Sequence, residues 1–200
     1  RLKKYDKKGE EHYNLISALH KSIRGSDPDA ALYWLARILD GGEDPRFIAR
    51  RLLRMALEDV GLADPQAQSI CLYAWQSFER LGSPEGELAL AQAALYLALA
   101  PKSNASYKGF NLSLDLVKKT GSEPPPKHML NAPTDLMKDQ GFGAGYEYDH
   151  DREDGFSGQN YFPEKIGRLS AYKPVERGFE RELKKRISYF KNLREKRKSI

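Results

Sequence analysis

A single cysteine in 200 residues excludes an internal disulfide. Cys71 lies on an apolar helical stripe, so it is expected to be an inert core thiol of a reducing compartment rather than a nucleophile. Long apolar runs are missing too. The longest, Leu88 to Ala100, is interrupted by Gln92 and falls short of the roughly 18 residues that a membrane span requires, so no membrane partner is expected. No stretch fits G-x-x-x-x-G-K-[ST], and without that backbone cradle for phosphates the chain is not expected to hydrolyse ATP alone. Metal spacing is lacking as well. His12, His20, His128 and His150 form no ligand pair with a third ligand nearby, and His12, on an apolar stripe, reads as a satisfied core histidine. The acidic run Asp149 to Asp154 breaks the calcium-loop pattern, because the glycine falls one place late and position 12 is Asn160 rather than a bidentate carboxylate. No glycine elbow supports Ser-His-Asp or paired-carboxylate catalysis. The chain starts Arg-Leu-Lys-Lys, without an initiator Met or a following apolar region, which reads as an excised fragment rather than a signal peptide or a natural start.

What is present is helix punctuation. Asp27-Pro28, Asp44-Pro45, Asp64-Pro65 and Ser83-Pro84 each precede a segment of helical periodicity. Asp or Ser at the N-cap accepts from an orphan N–H of the first turn, and Pro at N1 has no N–H to leave unpaired. Gly41-Gly42, Gly61 and Gly82 supply the stops, and Pro101 follows the next helix. Apolar residues recur at helical spacing in His12, Leu15, Ile16, Leu19 and Ile23, then in Ala31, Trp34, Leu35 and Ile38. Ile48, Leu52, Met55 and Ala56 continue the pattern, followed by Ala67, Ile70, Cys71, Ala74, Phe78 and Leu81. A fifth helix, Pro84 to Ala100, is apolar nearly all round and is expected in the middle of the bundle. A sixth, Ser103 to Thr120, carries Tyr107, Phe110, Leu114 and Val117. The fold class is therefore all-α: a compact helical bundle over residues 1–120, with short connections forcing antiparallel neighbours. No side-chain signature recurs from unit to unit, so no solenoid is expected.

Composition changes at Gly121. Residues 121–200 read as an irregular, Gly- and aromatic-rich extension, with a short helix capped by Thr134 and a last helix over Val175 to Lys196 packed on it through Phe179, Leu183, Ile187 and Phe190. Aromatics at this density argue against disorder. Phe142, Tyr146, Tyr148, Phe156, Tyr161 and Phe162 are candidates for a subunit interface. Arg46, Arg50 and Arg54, at i, i+4, i+8, join them, since three arginines on one face call for a carboxylate from this chain, a carboxylate from a neighbouring subunit, or a DNA backbone. The formal net charge of +5 hides an asymmetry: residues 165–200 hold 13 Lys or Arg against 4 acids, a local +9 against −4 elsewhere. Lys184, Lys185, Arg186, Lys191 and Arg194 are thus candidate DNA contacts. The competing reading is a solvated face laced by Glu180–Lys184 and Glu182–Arg186 pairs.

Five stretches carry a family resemblance. They are HYNLISALHKSIRGSDPDAALYWLARILDGGEDP from His12, IARRLLRMALEDVGLADP from Ile48, ERLGSPEGELALAQAALYLALAPKSNA from Glu79, NAPTDLMKDQGFGAGYEYDHD from Asn131 and RGFERELKKRI from Arg177. The text resembles the C-terminal region of the replication-associated recombination proteins, the RarA or MgsA family of AAA+ ATPases, related to the Werner-helicase-interacting proteins. One departure is Leu130, where the family commonly places an arginine before Asn-Ala-Pro. The resemblance implies a helical part similar to a clamp-loader collar and assembly into a homotetramer. It further implies that ATP and Mg belong to an ATPase module outside this chain, which itself has no catalytic, cofactor or metal residues. The intact protein is then expected to be a DNA-stimulated ATPase acting with DNA and replication-fork proteins at stalled forks, in the nucleoid-associated bacterial cytoplasm.

Overall fold

The computed structural model describes residues 9–198. The unusual start at Arg1 to Lys4 and the final Ser199 and Ile200 of the basic end lie outside them. Among the described residues there are helices and no strands: α1 (Glu10–Arg24), α2 (Pro28–Asp40), α3 (Pro45–Met55), α4 (Gln66–Leu81), α5 (Glu87–Leu99), α6 (Ala105–Thr120), α7 (Asp135–Asp139) and α8 (Glu180–Lys198). The chain divides into two compact units, Arg1–Lys108 with Pro174–Leu183, and Gly109–Lys173 with Lys184–Ile200. The compositional break at Gly121 therefore falls inside the second unit, and a ten-residue strap from the C-terminal part belongs to the first.

The predicted caps form at three of four sites. Asp27 Oδ1 accepts the Ala30 N–H at 2.9 Å, Asp44 Oδ1 that of Arg46 at 2.9 Å and Asp64 Oδ1 that of Gln66 at 3.0 Å. At the fourth site the expectation needs correction, because α5 begins at Glu87 rather than Pro84. The Gly86 N–H closes a turn onto the Gly82 carbonyl at 2.6 Å, and the Gly86 backbone lies so close to Phe78 that a Cβ there would sit 2.8 Å from its Cα. Ser83 Oγ meets the Glu87 carboxylate at 2.9 Å instead of a backbone N–H. Between α3 and α4 the chain passes through a π-helical turn, Ala56–Val60, and a 3₁₀ turn, Gly61–Ala63.

In the first unit α5 packs against α1, α2, α3 and α4. Leu90, Ala93, Leu97 and Ala98 are fully buried among Leu19, Ile23, Ile38, Leu52 and Met55. Cys71 is part of this core; its thiol donates weakly to the Leu52 carbonyl at 3.6 Å, and burial pushes it up to about 12. Every buried apolar side chain among the described residues, from Leu15 to Ala105, belongs to this unit.

The last helix starts at Glu180, five residues later than expected, because residues 174–179 run through bends and a turn and are bonded within the first unit. Arg177 Nε donates to the Lys102 carbonyl at 2.6 Å and the Phe179 N–H to the Ala63 carbonyl at 2.8 Å. Glu180 has no exposed surface, and its Oε2 accepts the Val175 N–H at 2.7 Å, so this residue is not on the solvated face predicted for it. The strap crosses Ala63 at Gly178, which has φ +54.

The second unit is organised differently. Thr134 caps α7 by accepting the Met137 N–H at 3.3 Å. Asp149 accepts from the Ser157 N–H at 2.7 Å and the Tyr161 hydroxyl at 3.0 Å, while Gln159 bridges to the Gly145 carbonyl at 2.7 Å and the Glu147 N–H at 3.1 Å. Polar bonds rather than an apolar core hold these loops. The stripe expected to bury α6 is open instead: Phe110 is 67% and Val117 62% exposed.

Gly178→Ala is expected to destabilise the first unit by more than about 1 kcal/mol, since alanine is strained at positive φ and its methyl would collide with the Ala63 carbonyl. Urea unfolding of the two proteins checks this.

Candidate functional site

The arginine stripe on α3 finds partners within its own unit. Arg46 grips Glu79 with both Nε (2.7 Å) and Nη2 (3.1 Å) and lies over the Phe78 ring, 5.6 Å from its centre. Arg54 pairs with Glu58 one turn on at 2.8 Å and covers Tyr107 at 5.6 Å, while Arg50 lies over Phe47 at 5.8 Å. His12 is a buried core histidine whose Nδ1 meets the Glu43 carboxylate at 2.8 Å.

A charge cluster that sequence reading missed lies where the π-helical turn meets α1. Asp59 is buried; its Oδ2 bonds His20 Nε2 at 2.5 Å, and its Oδ1 accepts from Arg24 Nε at 2.7 Å. Glu58 stands 3.9 Å from Arg24 Nη2. Ligand-capable atoms of His20, Glu58 and Asp59 lie within 4.8 Å of one another. Arg24 already supplies the positive charge at that point, so the geometry is that of an internal ion-pair network. An opening of about 400 Å³ beside it is lined by Arg24, Glu58, Asp59, Lys102, Tyr107 and Arg177, a mixture of signs that selects neither an anion nor a cation. Lys102 instead closes the end of α5, donating to the Ala98 and Ala100 carbonyls at 2.8 and 2.6 Å. The sequence signal for the cluster was weak: His20 and Asp59 are 39 residues apart, and the one clue was a pair of acids inside an otherwise apolar helix end.

In the second unit the candidate aromatics part company. Tyr146 and Tyr148 are exposed, and Tyr161 is partly exposed with its hydroxyl engaged by Asp149. Phe142 and Phe162 are half-buried, and Arg168 lies over the Phe162 ring at 5.9 Å. Phe156 stacks with Phe190 at 5.2 Å and is covered by the guanidinium groups of Arg194 and Arg197 at 5.2 and 5.3 Å. Phe156 and Phe190 help to form a cleft of about 840 Å³ with Leu169, Tyr172 and Ile187, rimmed by Arg168, Lys191, Arg194 and Lys198. The candidate DNA contacts separate as well: Lys184, Lys185, Arg186 and Lys191 are exposed on α8, whereas Arg194 is half-buried on Phe156.

Comparison with known proteins places this architecture. The family described as "MgsA AAA+ ATPase C terminal" matches residues 25–191, and the one described as "AAA C-terminal domain" matches residues 1–24. The chain belongs to the MgsA AAA+ ATPase C-terminal family. Its relatives include proteins named replication-associated recombination protein A from Coxiella burnetii, 54% identical over 199 residues, and Haemophilus influenzae, 50% identical over 200 residues. These alignments cover 99% and 100% of this chain but 45% and 44% of the relatives. The ATPase WRNIP1 of Dictyostelium discoideum is 46% identical over 163 residues, covering 81% of this chain and 19% of its own. The chain thus spans less than half the length of the curated relatives it matches. No described helix of this MgsA-family chain is long and apolar enough to cross a membrane.

Burial pushes the Asp59 carboxyl up, but hydrogen bonds from His20 and Arg24, with the positive charge they bring, outweigh it and hold the group below the usual carboxylate range. A depressed pKa contributes stability that is complete above the unfolded value, about 3.9, and is lost as pH falls through the folded value. Urea midpoints of the wild-type chain are therefore expected to drop on acidification below about pH 4, and those of Asp59→Asn to drop less steeply over the same range.

Proposed function

We propose that this chain is the assembly domain of a DNA-dependent AAA+ ATPase of replication-associated recombination, holding copies of the enzyme together as a homo-oligomer, with a homotetramer as the expected stoichiometry. Membership of the family supports the parent activity. In that parent, ATP and Mg are bound outside this chain, which has no phosphate loop to cradle a triphosphate, and the assembly works at stalled forks in the bacterial cytoplasm.

One observation carries the assembly role. The described residues of the second unit contribute none of the buried apolar core, yet they expose Phe110, Leu114 and Val117 along α6, together with Ile187 and Tyr189 on α8. Phe110, Leu114 and Val117 are spaced i, i+4, i+7 and form one face of a helix. Contiguous exposed apolar faces of this kind mark association surfaces in soluble proteins, and a subunit interface supplies the missing cover.

A second reading is a DNA contact through Lys184, Lys185, Arg186 and Lys191, whose exposure on α8 favours it, with Arg194 alongside. Phosphate contacts release counterions, so affinity for a short duplex is expected to fall about tenfold or more between 50 and 200 mM salt. Affinity that is flat across this range rules the reading out.

Sedimentation at tens of micromolar tests the assembly role: the wild-type chain is expected to run as an oligomer. Phe110→Glu with Val117→Glu is expected to weaken association at least about tenfold while leaving the helical circular dichroism unchanged. A wild-type monomer at that concentration defeats the proposal.

A further inference from the structure

The cleft of the second unit has an unusual charge balance for so apolar a space. Its floor is built from Phe156, Tyr172, Ile187 and Phe190, while its rim carries four cations, Arg168, Lys191, Arg194 and Lys198, against one acid, Glu195. Arg194 is the least comfortable of these. Its guanidinium lies on the Phe156 ring, its Nε is buried without a hydrogen-bond partner, and desolvation together with the neighbouring positive charge of Arg168 lowers its pKa. Like charges gathered over an apolar floor favour an incoming group that brings both an aromatic ring and carboxylates.

The same unit displays such a group. Residues 146–151 read Tyr-Glu-Tyr-Asp-His-Asp and are followed by Arg152, Glu153 and Asp154. Tyr148, at φ −74 and ψ 118, is extended and 54% exposed; Tyr146, two residues earlier, is 50% exposed. Asp151 and Glu153 are exposed beside them. The remaining acids have local duties, Glu147 with Arg152, Asp149 with Ser157 and Tyr161, and Asp154 with Arg197. Acidic aromatic segment and basic apolar cleft are thus complementary features of one unit, and in an assembly of identical copies each occurs as often as the other.

We infer that the cleft lined by Phe156, Phe190, Lys191 and Arg194 receives the Tyr146–Asp151 segment of a second copy of this chain, the tyrosines entering the cleft and Asp151 and Glu153 meeting its cationic rim. This rests on the oligomeric reading and specifies one of its interfaces.

A charge exchange tests it by sedimentation equilibrium at constant salt. Lys191→Glu with Arg194→Glu is one variant, and Asp151→Lys with Glu153→Lys is the other. Each alone is expected to self-associate at least about tenfold more weakly than the wild type. Mixed in equal amounts they are expected to regain most of that loss, because the changed cleft of one then faces the changed segment of the other. Tyr148→Ala, at an exposed position, is expected to weaken assembly without altering the helical spectrum, and Lys191→Glu alone covers the case in which substitution of Arg194 disturbs the fold. If the wild type assembles and these substitutions leave its association unchanged, or the mixture regains nothing, the segment and the cleft are not partners, although the oligomeric reading stands. A wild-type monomer removes both.

Discussion

α5 sets the problem that the first unit solves. After Glu87 its polar groups are Gln92 and the Tyr96 hydroxyl, so a stable position needs cover from several directions at once. The alanines at 93, 94 and 98 keep the helix thin on its buried sides, which lets α1 to α4 approach it closely. Asp64 then couples two of these helices through one carboxylate. Oδ1 caps the start of α4, and Oδ2 accepts from the Tyr96 hydroxyl at 2.6 Å, a bond that pushes the phenol up to about 12. Buried polar groups are tolerated where each has such a partner, and the His20–Asp59–Arg24 network follows the same rule.

The second unit meets the opposite condition. Its loops are fastened by side-chain hydrogen bonds, by arginines laid on aromatic rings and by a bidentate pair between Arg197 and Asp154 at 2.7 Å, with no fully buried apolar side chain among its described residues. A unit built in this way has aromatic surface to spare. That surplus is the observation on which the proposed assembly role rests.

The positive charges are similarly divided. On α3 the arginines are met by Glu79 and Glu58, so most of their field is compensated within the unit. On α8 and around the cleft the cations outnumber nearby acids, and the local excess counted in the sequence survives as an exposed one.

Helix order, three of the four predicted caps, the central place of α5 and the inert Cys71 were legible because caps and 3.6-residue periodicity act between residues a few positions apart. The family was legible because long stretches of text are specific. Features that depend on residues far apart were not: the buried Glu180, the strap crossing Ala63 at Gly178, and the bonding of Asp59 to His20 across 39 positions. Nor could periodicity say whether the stripe of Phe110, Leu114 and Val117 is covered, since a helix pattern states which side chains share a face and not what faces them. Local chemistry wrote the elements into the chain, whereas their covering, and with it the surface left for partners, came from long-range packing.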